Sequence, residues 1–251
     1  MNFAKSIEGF LLIDKPDKMT SHDVVAKIRR ALRSASPDLH LPQFPKVGHA
    51  GTLDPFATGL LIVGIGRAAT KEMQKLVGLD KTYEAVFVLG AKSDTDDKTG
   101  IIETVPFAPL PVYKVELEDV LKKFVGEIDQ TPPAYSAIKI NGKKMYEEAR
   151  KGKPIEAKPR RVKIYSIDLL RTETNDNHTT QRLSLLISCS SGTYIRALAR
   201  DIGNLIGTGG YVEELRRTKI GPFSINEATN LENALMDVQS HIIPISQFLA
   251  R

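Results

Sequence analysis

The segment that decides the fold reads Gly48-His49-Ala50-Gly51-Thr52-Leu53-Asp54-Pro55, and it is too polar and too rich in glycine to be a helix or a strand. Its two glycines permit backbone angles that a side chain forbids, which predicts a loop of defined shape. The ring of Pro55 restricts Asp54 toward an extended conformation. The apolar run 60–63 follows at once and predicts a buried strand. Asp54 is therefore either a nucleophile presented by a stiff loop or a residue that only starts a turn.

The composition limits the number of domains and the classes of protein to which the chain could belong. With 251 residues, of which 41% are hydrophobic, the chain is large for one compact domain and small for two. No window approaches the roughly 20 apolar residues of a membrane span, and the apolar run 10–13 is too short for a signal peptide. The one cysteine, Cys189, excludes a disulfide within the chain, so we expect a cytoplasmic protein without a membrane partner.

The positive charge of the chain is concentrated in one region. The formal net charge is +5, and residues 139–163 hold ten Lys or Arg against three Glu, a balance of +7 that leaves −2 for the rest. This region, called the insertion patch below, favours a polyanionic partner. A solvated basic face without a binding role is the alternative.

Apolar periodicity and turn residues predict alternating strands and helices. The expected strands are 9–14, 60–63, 82–89, 101–105, 161–171 and 181–190. The expected helices are one capped by Thr20 or Ser21, then 68–77, one that ends at Gly126, 144–150, 193–206 and 231–238. We further expect a surface loop at 34–45, an excursion from the core at 128–158 with an Asn141-Gly142 turn, and a turn at 215–217.

Two motifs are misleading. Gly64-Ile65-Gly66-Arg67-Ala68-Ala69 matches a dinucleotide fingerprint, but Glu84 stands near the start of its strand and the chain lacks regular strand–helix alternation. The acids at 94, 96 and 97 suggest a calcium loop, but Lys98 and Thr99 occupy positions that need a ligand and a glycine. We interpret them as a solvated hairpin turn.

The five histidines are scattered, so no metal site is expected.

Three candidates for chemistry remain: Asp54, Tyr83 and the turn Ser190-Ser191-Gly192-Thr193-Tyr194-Ile195-Arg196. Arg196 would lie in the first turn of a helix, where it could hold a neighbouring carboxylate ionised, as a nucleophilic Asp requires. It could equally be a surface arginine near a helix start. Residue types alone leave both possibilities open.

Taken together, these pieces resemble the TruB family of tRNA pseudouridine synthases, in one order along nearly the whole chain. The motifs that carry the resemblance are Leu12-Ile13-Asp14-Lys15-Pro16, the run from Val47 to Gly59, Lys81-Thr82-Tyr83-Glu84, the run from Gln130 to Lys139, Gly192-Thr193-Tyr194-Ile195-Arg196 and Leu215-Arg216-Arg217.

The resemblance implies isomerisation of uridine to pseudouridine at position 55, in the T-loop of tRNA, without cofactor or metal. It assigns Asp54 as nucleophile, Tyr83 as the ring that stacks on uracil and takes a proton late, and Arg196 as the partner of the Asp. His49 matches a residue that levers the base out, and Tyr194 and Leu215 match contacts to that base. It also implies an α/β pseudouridine-synthase fold with a mixed, mostly antiparallel central sheet.

The resemblance also sets expectations for organisation. We expect a single catalytic domain over 1–251, an RNA-binding insertion at 128–158 and no C-terminal PUA domain. Contacts to the tRNA T-arm are expected from Lys143, Lys144, Lys151 and Lys153. We expect a monomer with no obligate protein partner. A guide-RNA-dependent synthase and an RNA-binding chaperone that folds tRNA, with Asp54 unused, are the alternatives.

Overall fold

The computed structural model describes residues 7–35, 44–106, 111–136, 138–140, 142–153, 155 and 157–251. Contacts between residues group the chain into two compact units, Met1–Lys81 with Arg216–Arg251 (unit 1) and Thr82–Leu215 (unit 2). Most of the predicted 34–45 loop lies outside the described residues, as does Asn141 of the predicted turn.

The strands and helices of the described residues follow one another in mixed order. The strands are β1 (Gly9–Lys15), β2 (Val47–Ala50), β3 (Thr58–Ile65), β4 (Lys81–Leu89), β5 (Ala91–Ser93), β6 (Ile102–Thr104), β7 (Gly126–Gln130), β8 (Lys139–Ile140), β9 (Lys143–Lys144), β10 (Arg160–Thr174), β11 (Gln181–Cys189), β12 (Gly210–Ile220), β13 (Phe223–Ser224) and β14 (Thr229–Asn230). The α-helices are α1 (Ser21–Ser34), α2 (Gly66–Lys71), α3 (Met73–Val77), α4 (Lys114–Lys122), α5 (Met145–Ala149), α6 (Ile195–Ile206), α7 (Leu231–Met236) and α8 (Ile245–Leu249).

The sheet of unit 1 has the order β14-β1-β3-β12, with β2 paired to β3 and β13 to β12. β3 runs antiparallel to β1 and β2 and parallel to β12. Both faces of this sheet are buried, because alternate residues of β1 and β3 belong to two separate apolar clusters. A strand covered on both sides reads as a continuous apolar run, as residues 60–63 do.

Helix α1 begins where the sequence predicts a cap. The Thr20 hydroxyl accepts from the Asp23 N–H at 3.0 Å, and the Asp23 carboxylate accepts from the Thr20 N–H at 2.9 Å. This reciprocal pair is a capping box. The apolar face of the helix then packs on the core of unit 1 through Val24, Val25, Ile28 and Leu32.

In unit 2 the strand order is β12-β4-β11-β10-β7, and β10 is antiparallel to both β11 and β7. Helix α6 approaches the start of β12 very closely. A Cβ at Gly203 would lie 2.2 Å from the Gly209 carbonyl carbon, so only glycine fits there. This approach fixes the helix that carries Arg196. The predicted α/β class with a mixed, mostly antiparallel sheet is confirmed.

Five sequence expectations need correction. Residues 48–50, predicted to be part of a loop, form strand β2, because they pair with residues 62–64 of β3. The excursion predicted at 128–158 begins later, because residues 128–130 still belong to β7 and pair with β10. The helix predicted at 68–77 is two helices, α2 and α3, that meet at Glu72. Residues 215–217 lie in β12 rather than in a turn, because 216 and 217 pair with β3. Helix α8 was not predicted; its Phe248 ring stacks between Phe10 and Phe223, with ring centres 4.0 and 4.2 Å away.

Among the described residues, no helix is both long and apolar enough to span a membrane.

Candidate active site

Asp54 lies in the loop between two paired strands of unit 1, β2 and β3. The neighbouring Leu53 is buried and tied to helix α1: its N–H donates to the Ser21 hydroxyl at 2.9 Å, and that hydroxyl donates to the Leu53 carbonyl at 3.3 Å. The Ala57 N–H closes a turn on the Asp54 carbonyl at 3.1 Å. These bonds fix the backbone on both sides of a half-buried carboxylate.

Arg217 holds both ends of this loop from β12. Its side chain is fully buried, its Nε donates to the Leu60 carbonyl at 2.8 Å, and its Nη2 donates to the Gly51 carbonyl at 2.9 Å. Gly51 has a φ of +75°, and a Cβ there would meet the guanidinium at 3.3 Å. The backbone angle favours glycine, and a Cβ at this position would force the guanidinium to shift by a few tenths of an ångström.

Lys15 supports the loop from the end of β1. Its buried ammonium donates to the carbonyls of Met19 at 2.6 Å, Pro16 at 2.8 Å and Pro55 at 3.3 Å. Burial lowers the pKa of Lys15 to about 8, and the charges of Asp17 and Asp54 offset part of that effect. Lys15 thus both fixes the residue after Asp54 and places a positive charge near the carboxylate.

His49 lies on β2, five residues before Asp54. Its Nδ1 is buried and has no hydrogen-bond partner among the described residues. Burial lowers the pKa of the imidazole, and the charges of Arg217 and His22 lower it further. The ring is therefore neutral at physiological pH.

In unit 2, Arg196 is held by three groups from two other segments. Its Nη1 donates to the Thr95 carbonyl at 3.0 Å and to Asp97 Oδ2 at 3.2 Å, and its Nη2 donates to the Tyr135 carbonyl at 3.0 Å. Arg196 and Asp97 are 4% and 3% exposed, so this is a buried ion pair. Asp97 Oδ1 accepts in addition from the Thr95 hydroxyl and the Thr99 N–H, both at 2.9 Å.

A second pair lies one helical turn further along α6. Arg200 Nη1 donates to Asp96 Oδ2 at 2.8 Å, and its Nη2 donates to the Thr131 carbonyl at 2.8 Å. Burial raises the pKa of Asp96 to about 6, against the opposing charges of Arg200 and Arg196. These acids do lie in a hairpin turn, between the antiparallel strands β5 and β6, but the prediction that they are solvated is wrong for Asp96 and Asp97. Both are buried because α6 brings them arginine partners.

The backbone of Tyr194 is fixed by one buried side chain. Gln130 accepts from the Tyr194 N–H at 2.8 Å and donates to the Tyr194 carbonyl at 3.1 Å. Tyr83 lies in β4 and Leu215 in β12, and they are 8% and 7% exposed.

The four predicted lysine contacts lie in or beside the short elements of the insertion. Lys143 is exposed in β9, and the side chain of Lys144 lies outside the described residues. Lys151 forms an ion pair with Glu148 at 2.8 Å, which raises the pKa of the lysine. Lys153 is exposed. Part of the positive charge counted in the insertion patch is thus already neutralised by an acidic side chain.

The structure distributes the predicted site residues between the two units. Asp54 and His49 lie in unit 1, whereas Tyr83, Tyr194, Arg196 and Leu215 lie in unit 2. The pairing of Asp54 with Arg196 stays a prediction. Among the described residues, no group of three His, Cys, Asp or Glu side chains could hold a metal ion.

Several supporting residues were missed by the sequence analysis. Asp97 and Gln130 lie about 99 and 64 positions from their partners. The role of Asp97 could have been suspected from the sequence. Two adjacent acids, at 96 and 97, can pair with two arginines that lie four residues apart on one face of a helix. Ser21 and Arg217 carried no comparable signal.

Comparisons with known proteins place the chain in a family. The model "TruB family pseudouridylate synthase (N terminal domain)" matches residues 40–195, and "tRNA pseudouridylate synthase B C-terminal domain" matches residues 196–244. The "tRNA pseudouridine synthase B" of Corynebacterium diphtheriae is 41% identical over 100% of this chain and 79% of its own length. That of Bordetella avium is 40% identical over 97% of this chain and 94% of its own length.

Solved structures agree with these matches. A "Cbf5-Nop10-Gar1 Complex" contains a chain that superposes with a TM-score of 0.70 at 28% identity, over 96% of this chain and 62% of that one. The predicted resemblance is confirmed by both kinds of comparison. The chain belongs to the TruB family of pseudouridylate synthases.

Proposed function

We propose that this chain isomerises uridine to pseudouridine at position 55 in the T-loop of tRNA, with Asp54 as the nucleophile. The observation that carries this proposal is the Asp54 loop, whose backbone is bonded from three separate elements by Ser21, Lys15 and Arg217. A carboxylate held this way meets the requirement for precise positioning of a nucleophile. Relatives about 40% identical over nearly the whole chain are named tRNA pseudouridine synthase B.

The reaction exchanges one bond of the ribose for another. The bond between C1′ and N1 of uracil breaks, a bond between C1′ and C5 forms, C5 loses its proton and N1 gains one. Asp54 supplies an oxygen nucleophile to the target nucleotide and is released when the new carbon–carbon bond is complete. Since the base is detached in between, the site has to exclude water and hold the uracil in place.

Tyr83 and Arg196 take the two supporting roles. We propose that the Tyr83 ring stacks on the uracil and that its hydroxyl accepts the proton released late in the reaction. We propose that Arg196 pairs with Asp54 and keeps it ionised. Its buried contacts to Asp97, Thr95 and Tyr135 support this role, because they fix the orientation of a planar donor before the substrate arrives.

The target base is stacked within a folded RNA loop and has to be extruded. The neutral imidazole of His49 suits entry into the stack, because an uncharged ring costs less to desolvate than a charged one. Tyr194, whose backbone Gln130 fixes, and the buried Leu215 would contact the flipped base. The lysines of the insertion would contact phosphates.

The test is release of tritium from an unmodified tRNA transcript labelled at C5 of uridine, with EDTA and no other macromolecule present. Wild-type protein should release about one tritium per tRNA, because only one uridine exchanges C5–H for C5–C1′. A transcript with cytidine at position 55 should release none. Absence of release from the wild-type transcript would overturn the proposal.

The same assay addresses the two alternatives. A guide-RNA-dependent synthase would release tritium only after a guide RNA is added. A folding chaperone would accelerate tRNA folding and leave the tritium in place.

We propose further that the chain acts in the cytoplasm as a monomer without an obligate protein partner. Its free, buried Cys189 fits a reducing compartment, and tritium release without a second protein would support the absence of an obligate partner. Sedimentation of the active protein checks the monomer.

A further inference from the structure

Helix α6 carries a second arginine that has no role in the chemistry proposed above. Arg200 lies four residues after Arg196, so both side chains leave the same face of the helix. Its Nη1 donates to Asp96 Oδ2 and its Nη2 to the Thr131 carbonyl, both at 2.8 Å. Arg196 makes a corresponding pair of bonds, to the next acid of the same turn and to a carbonyl four residues further along the chain. Each arginine thus joins the 94–99 turn to the start of the insertion.

The start of the insertion, residues 131–136, is called the root segment below. Pro132 and Pro133 are buried and have no N–H, so the hydrogen-bonding ladder of strand β7 cannot continue through them. Side chains hold the root segment instead, because its carbonyls at 131 and 135 accept from the two arginines of α6. The direction in which the insertion leaves the sheet therefore depends on contacts to this helix.

The other end of the Arg200 contact is a turn in an uncommon backbone conformation. Asp96 has a φ of +60°, in the left-handed region that Asp and Asn enter more readily than other residues with a side chain. Its carbonyl accepts from the Val212 N–H at 3.0 Å, so strand β12 fixes the turn at this residue. Asp96 is therefore a fixed point to which Arg200 can tie the root segment.

The pair of Arg200 with Asp96 is better explained by orientation than by stability. Burial raises the pKa of Asp96 to about 6, so the surroundings disfavour the ionised acid. Desolvation of a buried pair commonly offsets most of the attraction between its charges. What the contacts do supply is a defined orientation, because Nε of Arg200 also donates, to Asp201 at 2.9 Å. All three nitrogens of the planar guanidinium are then bonded, and one of them is aimed at the Thr131 carbonyl.

We propose that Arg200 is a positioning residue: it anchors the root segment to the turn at Asp96 and thereby holds the insertion where its lysines contact substrate RNA. The bond to the Thr131 carbonyl carries this role, and the ion pair with Asp96 orients the guanidinium that makes the bond. The inference rests on the proposed function, because tRNA is the substrate that the insertion contacts. It gives the two arginines of α6 separate effects: Arg196 acts on turnover, and Arg200 acts on binding.

The test is Arg200→Lys, which keeps a positive charge opposite Asp96 but cannot bond the acid and the Thr131 carbonyl in one plane. The matched control is Arg182→Lys in the same unit, because Arg182 makes two bonds to Glu213 but is 56% exposed. Melting temperature checks that both variants fold. Tritium release from tRNA at about 0.1 M salt, where charge contacts are only partly screened, gives KM and kcat.

We expect Arg200→Lys to raise KM about three- to fivefold and to leave kcat within about twofold of the wild type. The control variant should match the wild type in both, since an exposed pair contributes little. This split between KM and kcat is what an effect on substrate binding predicts.

A double-mutant cycle shows whether Arg200 acts through the insertion. Lys143, Lys144, Lys151 and Lys153 are neutralised together, with and without Arg200→Lys. If Arg200 acts by placing these lysines, adding Arg200→Lys to the neutralised insertion should raise KM by less than about 1.5-fold. A general loosening of the fold would raise KM by the same factor in both backgrounds.

Asp96→Asn provides a second variant, because Asn tolerates the left-handed backbone and keeps an acceptor oxygen while losing the charge. The Thr131 bond remains, so KM should rise by about twofold or less. A larger rise than Arg200→Lys produces would overturn the assignment of the role to the Thr131 bond. Should Arg200→Lys not fold, hydrogen exchange of residues 131–158 in Asp96→Asn decides. Faster exchange than in Arg182→Lys would support the anchor, and equal exchange would overturn it.

Three further outcomes would overturn the inference: an unchanged KM in Arg200→Lys, a fall in kcat without a rise in KM, or KM effects that multiply in the cycle. Failure of the proposed function has a different signature. In that case the wild-type protein would release no tritium from the tRNA transcript, whatever stands at position 200.

Discussion

Two sets of basic side chains in this protein differ in what already surrounds them. Arg196, Arg216 and Arg217 are bonded within the protein: Arg196 to Asp97, Arg216 to Asp14 at 2.7 and 3.0 Å, and Arg217 to two carbonyls. A cleft of unit 1, called the basic cleft, is lined by five cations whose side chains form no ion pair within the described residues: Arg29, Arg33, Lys46, Arg67 and Lys71. A guanidinium that is bonded within the protein orients backbone and neighbouring side chains, whereas one without an ion pair is available to a ligand. Changes in the first set should lower kcat, and changes in the second should raise KM.

The largest effect should come from Asp54, whose loop Arg217 holds through the Gly51 carbonyl. Asp54→Asn keeps the shape of the side chain and removes the nucleophile, so turnover should fall by about 10⁴-fold or more. Folding and tRNA affinity should stay close to wild type. Tritium release above background from the Asp54→Asn variant, expressed without any wild-type protein, would contradict the assignment of Asp54 as nucleophile.

Tyr83→Phe separates the two roles proposed for one ring. The ring still stacks on the base, so tRNA affinity should change by no more than a few fold. Without the hydroxyl, kcat should fall by about a hundredfold or more, as expected for a lost proton acceptor. Tyr211→Phe, at another buried tyrosine of unit 2, is the matched control and should keep its activity. Weak binding with normal kcat would mean that the roles are reversed.

Arg196→Lys tests whether replacing a buried guanidinium lowers kcat more than replacing an exposed one. A lysine cannot donate to Asp97, Thr95 and Tyr135 in the same plane, so kcat should fall by about a hundredfold. The control is Arg182→Lys, since Arg182 also makes two 2.8 Å bonds to one carboxylate, that of Glu213, but is 56% exposed. An exposed pair contributes little, so Arg182→Lys should be nearly neutral. Equal kcat values in both variants would remove the proposed pairing of Arg196 with Asp54.

An isolated T-arm hairpin should be modified with a kcat/KM within about tenfold of whole tRNA, a loss of roughly 1.4 kcal/mol or less. The reason is that the insertion patch and the Asp54 loop would both contact the T-arm. Steady-state tritium release from both RNAs provides the comparison. A hairpin thousands of times poorer than tRNA would show that the second set of cations serves another part of the substrate.

The smallest effect should come from the insertion patch. Neutralising Lys143, Lys144, Lys151 and Lys153 together should raise KM a few fold, weaken the salt dependence and leave kcat nearly unchanged. The effect should be smaller than that of neutralising Lys46, Arg67 and Lys71 of the basic cleft together, because Lys151 is already paired with Glu148. A larger rise in KM than the triple change at Lys46, Arg67 and Lys71 produces would contradict the distinction between cations with and without an ion pair.

The features that sequence reasoning predicted correctly depend on neighbouring residues. The loop at residues 51–55 follows from Gly51 and Pro55, the cap of α1 from Thr20, and the buried strand from the apolar run 60–63. Each of these preferences acts within a few residues, so it is visible in a single sequence. The order of the motifs was enough to identify the family.

Contacts between distant segments were decided by the tertiary structure. Asp97 was interpreted as a solvated turn residue and is buried against Arg196, and Arg217 was placed in a turn but lies in a strand and holds Gly51 from 166 positions away. The basic cleft escaped the charge count because its five cations come from three segments, each with a modest local charge. A count along the chain records how many charges a region has. Which of them acids neutralise, and which converge on one surface, depends on packing that brings remote residues together.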